Sequence, residues 1–77
     1  MTKKPACYAI IEIDRELGSM TILARTPSGG CDFTKANPFA AWIVDAEVAE
    51  MLVKEYSDLR AKWGQSERYC VSKLKVI

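Results

Sequence analysis

The residue best placed to do covalent chemistry is Cys31. It follows Gly29-Gly30 and precedes Asp32, after a Pro27-Ser28 pair that predicts a turn. A thiol attacks as its thiolate, and the chain contains no histidine to take the proton. Activation would need a lysine or a helix N-terminus instead. We therefore interpret Cys31 as a structural thiol rather than a nucleophile.

Paired carboxylates are the second candidate chemistry. Glu12 and Asp14 flank a predicted hairpin, and Glu47 and Glu50 lie on a predicted helix. An acid–base pair needs a cleft that separates its two pKa values, and the sequence predicts no cleft at either place. We interpret both pairs as solvated charges, and we expect no enzyme activity and no cofactor.

The three cysteines, Cys7, Cys31 and Cys70, are too widely spaced to predict a zinc site, which also commonly uses histidine. An odd, sparse set is not typical of a disulfide-stapled secreted protein. The cysteines therefore indicate a reducing compartment. We expect a cytoplasmic protein with no metal.

Length and composition further limit the class of protein to which this chain can belong. The chain has 77 residues, 49% of them hydrophobic and 27% charged, with a net charge of +1. This predicts one globular domain over residues 1–77 and excludes both a disordered tail and a strongly basic binder. No apolar run approaches the roughly 18 residues of a membrane helix, so we expect no membrane partner.

The pattern along the chain predicts two strands, a further strand, one helix and a last strand. Residues 7–13 and 19–25 form a hairpin that turns at Gly18. Residues 39–44 are preferred as the third strand, although a helix that starts near Pro38 is the alternative. Residues 69–77 are the final strand. The fold class is α+β, with order β-β-(β)-α-β: an antiparallel-dominated sheet of three to four strands, packed on one face by a single helix.

The helix is predicted over residues 46–63, with Asp45 as its N-cap and Gly64 just past its end. Glu50 and Lys54 stand four residues apart and predict an ion pair. Six large apolar residues recur at helical spacing and predict the buried stripe. They are Val48, Met51, Leu52, Tyr56, Leu59 and Trp63.

The predicted strands are apolar on both faces, although one helix covers only one of them. Ala9, Ile11 and Ile13 share one face of the first strand, while Tyr8 and Ile10 share the other. A water-facing sheet surface normally alternates more cleanly with polar residues. We expect something to cover the second face: a second copy of the chain, a partner protein, or the segment 31–38 folded back.

These features favour a small non-catalytic protein-binding module that binds another protein or itself as a homodimer. Size and the lack of a catalytic set suggest an inhibitor or accessory protein of phage or mobile-element type, which binds a host protein complex. The candidate contacts are an acidic helix face and two aromatic residues near a loop. They are Glu47, Glu50, Lys54, Asp58, Phe33 and Phe39.

Nucleic-acid binding is the alternative function. The final strand is basic, the N-terminus adds two lysines, and two tyrosines on the sheet offer rings on which bases could stack. The residues of this alternative are Lys3, Lys4, Arg68, Lys73, Lys75, Tyr8 and Tyr69. A protein dedicated to nucleic-acid binding is usually more basic than this chain.

Overall fold

The computed structural model describes residues 6–35 and 41–76. Its elements are β1 (Tyr8–Asp14), β2 (Ser19–Arg25), β3 (Cys31–Lys35), α1 (Ala46–Lys62) and β4 (Tyr69–Lys75). The four strands form one antiparallel sheet in the order β3-β2-β1-β4, and α1 packs on it against β1 and β4. The α+β fold class is confirmed.

The hairpin of β1 and β2 turns where the sequence predicts. Gly18 has a φ of 67°, a left-handed conformation that costs glycine little because it has no Cβ. Asp14 supports the same turn, because its carboxylate accepts the backbone N–H groups of Glu16 and Leu17. The turn sets the register that places Ile11 opposite Ile22.

The third strand is not where the sequence predicts it. Residues 31–35 form it as β3, at the edge of the sheet beside β2. The described part of the expected strand over residues 39–44 is residues 41–44, a short extended segment with isolated bridges from Ala41 to Ala24 and from Val44 to Tyr8. Residues 36–40 lie outside the described residues.

Residues 41–44 form a wedge between β1 and β2. The two strands pair only from Ile11 to Asp14, and beyond that point the wedge bonds to both of them. The Trp42 N–H donates to the Leu23 carbonyl at 3.0 Å, and Val44 and Tyr8 exchange hydrogen bonds of 2.8 and 2.9 Å. Hydrogen bonding to both strands explains why this apolar run is extended without being a full strand.

The ends of α1 follow the predicted caps. The Asp45 carboxylate accepts the Val48 N–H at 2.8 Å, which satisfies a donor that the first turn leaves unpaired. The helix ends at Lys62, one residue before the prediction, and Trp63 is the C-cap. Gly64 follows with a φ of 69°, as a residue at this position requires.

The face of α1 that packs on the sheet differs from the predicted stripe. Ala49 is buried, and Val48, Leu52, Val53 and Tyr56 pack against the core around Ile10, Leu23, Val44 and Val71. Met51, Leu59 and Trp63 are exposed instead, at 65%, 45% and 70%. The predicted stripe was wrong for these three residues, and Arg60, which it did not include, turns inward and donates to Glu12.

The second face of the sheet is covered at its centre. Ala9, Ile11 and Ile22 are buried there, and Ala41 and Ile43 of the wedge pack against them. Residues 31–35 do not fold back over this face, since they form β3. Apolar side chains remain exposed toward its margins, among them Ile13, Met20 and Leu74.

Candidate functional site

The most conspicuous surface feature is a set of exposed charged and large apolar side chains along α1 and at its C-cap. We call it the outer helix surface; its members are Glu47, Glu50, Met51, Lys54, Asp58, Leu59 and Trp63. Met51, Leu59 and Trp63 belong to one row of residues spaced by four, which also contains the exposed Glu55 and extends over about 18 Å. Large apolar residues exposed in a row are typical of a contact surface.

Ion pairs surround this apolar ridge. Lys54 Nζ is 2.9 Å from Asp58 Oδ2, and that carboxylate holds the pKa of the Lys54 ammonium above its ordinary value. Lys73 of β4 reaches across to Glu50 at 3.0 Å. The predicted Glu50–Lys54 pair is therefore replaced by two others, and the predicted acidic face is partly neutralised.

A shallow depression of about 300 Å³ lies beside Leu59 on the same side of the molecule. Its lining combines apolar surface with charges of both signs, from Glu55, Tyr56, Asp58, Leu59 and Lys62. Such a mixed surface suits a protein partner better than a small charged substrate.

Cys31 and Phe33, two of the candidate residues of β3, meet Tyr56 of the helix. Phe33 is half-buried and packs edge-on against the Tyr56 ring, with centroids 5.0 Å apart. The structure thus places Phe33 in the core rather than as an exposed anchor. Phe39 lies outside the described residues.

The Cys31 thiol faces the Tyr56 hydroxyl, with Sγ and Oη 3.2 Å apart. Burial of the Tyr56 ring, helped by the Cys31 hydrogen bond, raises the pKa of Tyr56 to about 12. A phenol that holds its proton so firmly is a poor general base near neutral pH. The contact therefore supplies none of the activation that a nucleophilic thiol needs.

A network of arginines and carboxylates joins the C-terminal end of α1 to the sheet. The sequence analysis did not predict this network. Arg60 Nε and Nη2 donate to the two oxygens of Glu12, both at 2.8 Å, and its guanidinium lies 4.3 Å from the centre of the Tyr69 ring. Arg68 donates similarly to Asp14 at 3.1 and 3.2 Å, and reaches Glu16 at 3.3 Å.

This network lines a cleft of about 280 Å³, together with Ser19, Thr21, Asp32 and Phe33. The Arg68 guanidinium holds the pKa of the Asp14 carboxyl below its ordinary value. Because Glu12 and Asp14 are each held by a two-pronged arginine contact, they stabilise the fold and are poorly placed for proton transfer. Among the described residues, no group of three or more acidic or cysteine side chains is arranged to hold a metal ion.

The residues of the nucleic-acid alternative do not form an open platform. Tyr8 packs against the core on the helix side of the sheet, and Lys73 stands over its ring. Tyr69 is on the same side, with the guanidinium groups of Arg60 and Arg68 beside its ring. Bases would have to displace these contacts to stack. Lys3 and Lys4 lie outside the described residues.

Comparison with known proteins gave no match, whether with family models, curated sequences or solved structures. In the parts of the chain that the structure covers, no helix is long and apolar enough to span a membrane. Any functional assignment must therefore be argued from the surfaces described above.

Proposed function

We propose that this protein is a non-catalytic binding module that docks on another protein through the outer helix surface. The observation that carries the proposal is the exposure of Trp63, at 70%, in line with Leu59 and Met51. Tryptophan is among the residues that contribute most to binding when buried at the centre of an interface. Exposing it to water in the free protein costs hydrophobic free energy that a partner would recover.

The ion pairs around the ridge fit the polar rim of such an interface. Lys54 with Asp58 and Lys73 with Glu50 leave few uncompensated charges to desolvate. Charged rims guide a partner into register more than they add affinity. We extend the proposal to an inhibitor or accessory protein of phage or mobile-element type, which would occupy a surface of a larger assembly.

The test begins with a photo-crosslinking amino acid at position 51, used in an extract of the source cells to identify the partner. Binding of the purified partner is then measured for the wild type and for Trp63→Ala. We expect the variant to bind about thirtyfold more weakly, the loss typical of a central aromatic contact. The Trp63 N–H that caps the helix is a backbone group, so the variant keeps the cap.

Leu17→Ala is the matched control, because Leu17 is also 70% exposed but lies in the β1–β2 turn rather than on α1 or its C-cap. We expect Leu17→Ala to bind like the wild type. If the two variants lose the same affinity, or if neither loses any, the outer helix surface is not the docking surface.

A further inference from the structure

The edge of β4 presents unused backbone hydrogen-bonding groups. At the two ends of its ladder with β1, the Val76 N–H donates to the Cys7 carbonyl and the Arg15 N–H donates to the Arg68 carbonyl, both at 2.8 Å. Alternate residues of a strand direct their backbone groups to the same side. The N–H and C=O groups of Val71, Lys73 and Lys75 therefore point away from the sheet.

The two edges of the sheet differ in one respect. On β3 the outward N–H of Phe33 donates to the Asp32 carboxylate at 2.9 Å. On β4, no described group accepts the outward N–H groups, and the Lys73 carbonyl receives only a long contact of 3.5 Å from the Ser72 hydroxyl. The outward groups of β4 are therefore available for pairing.

A groove runs between this edge and α1. It has a volume of about 310 Å³, and its walls are mostly apolar. Glu50, Val53 and Lys54 form the helix side, while Val71, Ser72 and Lys73 form the strand side. A strand laid along β4 would direct every second side chain into this groove.

The charges on β4 indicate which charges a partner strand should carry. Lys73 and Lys75 lie two residues apart, so both side chains are on the helix side of the sheet. Lys73 pairs with Glu50, while Lys75 makes no ion pair with the described residues. Directly opposed charges on neighbouring strands attract or repel, so carboxylates opposite these lysines are favoured. Pairing of two β4 edges centred on Lys73 would instead set lysine against lysine.

We propose that β4 is a second docking edge, which binds an extended acidic segment of a partner protein by strand addition. The segment lies antiparallel or parallel to β4 and places acidic residues two apart opposite Lys73 and Lys75. Its backbone completes the hydrogen bonds of Val71, Lys73 and Lys75. This edge adjoins the outer helix surface, because Glu50 and Lys54 also line the groove, but the proposal does not depend on Met51, Leu59 or Trp63.

The probe is a short blocked peptide in which glutamate alternates with threonine, so that every register places carboxylates on one face. Amide hydrogen exchange of the labelled protein is followed by NMR as peptide is added. We expect the Val71, Lys73 and Lys75 amides to exchange about tenfold more slowly at saturation, as expected for new hydrogen bonds. The same peptide with lysine for glutamate is expected to give no slowing.

Two variants of one residue isolate the backbone contribution. Lys73→Pro removes the outward N–H, a change that an edge strand tolerates, while Lys73→Ala keeps it. Both lose the charge and the Glu50 pair, so we expect the proline variant to bind about tenfold more weakly than the alanine variant. Trp63→Ala is expected to bind the peptide like the wild type.

Three results would overturn the proposal. One is unchanged exchange of these amides at millimolar peptide; another is equal binding of the peptide by Lys73→Pro and Lys73→Ala. The third is slowing of the same amides when the protein alone is concentrated, which would make a second copy the occupant. If Lys73→Pro does not fold, the exchange experiment on the wild type still decides.

Discussion

The bridge between Glu12 and Arg60 joins residues 48 positions apart in the chain and lies between helix and sheet. The Glu12 side chain is 6% exposed and that of Arg60 is 28% exposed. A carboxylate so placed loses most of its hydration, and the two-pronged arginine contact replaces it. Removing one residue of such a pair lowers the free energy of unfolding by more than the intact pair contributes, because the other charge stays buried.

We expect Arg60→Met to lower the free energy of unfolding by about 3 kcal/mol, because it leaves the Glu12 carboxylate without its partner. The double variant with Glu12→Gln is expected to recover part of that loss. Chemical denaturation monitored by circular dichroism measures both.

Lys54→Met is the matched control, since its partner Asp58 is nearly as exposed as Lys54 itself. Water already screens that pair, so little change in stability is expected. Equal losses for Arg60→Met and Lys54→Met would show that burial does not strengthen the Glu12 bridge.

Asp14 makes stability depend on pH in the acid range. The Arg68 hydrogen bond lowers its pKa below the ordinary 3.8, and the Leu17 and Glu16 N–H groups act in the same direction against the opposing effect of burial. The unfolded chain therefore binds the proton at a higher pH than the folded one. The contribution is complete above the unfolded pKa and is lost as pH falls through the folded pKa.

We expect the urea midpoint of the wild type to fall between about pH 5 and pH 2, and the fall to be smaller in Asp14→Asn. The comparison is made as a series of urea melts at fixed ionic strength. A variant whose curve runs parallel to that of the wild type would mean that other carboxylates carry the acid dependence.

At the level of secondary structure, the N-cap of α1 can be tested by itself. Asp45→Ala removes the acceptor of the Val48 N–H, and we expect a loss of about 1 kcal/mol in the free energy of unfolding. Asp58→Ala, on the exposed side of the same helix, is the control. If Asp45→Asn were as destabilising as Asp45→Ala, the charge rather than the acceptor oxygen would be responsible.

The sequence predicted the elements that short-range chemistry determines. Gly18 and Gly64 mark turns that need a positive φ, and Asp45 caps the helix that follows it. The third strand and the wedge depend on contacts with β1 and β2, which no local pattern of residues 31–44 contains. An alternating or apolar run does not say which strand it will meet.

The exposed residues of α1 were predicted only in part, for a similar reason. Helical spacing identifies a row of apolar residues but does not determine which side of the helix packs on the sheet. In the structure Ala49 is buried and Arg60 reaches Glu12 of the sheet, while Met51, Leu59 and Trp63 are exposed. The acidic positions of the helix were correctly placed outside, whereas Phe33 proved to belong to the core.

For the molecule as a whole, the burial of the second sheet face has a consequence for its state in solution. Ala9, Ile11 and Ile22 are already buried within one chain, so a second copy is not needed to cover them. We expect light scattering to give a mass near 8.6 kDa across a concentration series. A doubled mass that Met20→Lys reverses would show that the second face holds two copies together.

During folding, pairing of the wedge with β1 and β2 competes with direct pairing of β1 with β2. The register of the hairpin, continued past Ile11 and Ile22, would pair Ala9 with Ala24, and nothing local forbids it. Direct pairing of β1 with β2 closes only a short loop, whereas the wedge lies about twenty residues further along the chain. We therefore expect the direct pairing to form first. We then expect folding to finish by strand displacement, in which the hairpin reopens to admit residues 41–44. Trp42 lies in the displacing segment, and a refolding rate by its fluorescence that rises with a little denaturant would be the signature of that reopening.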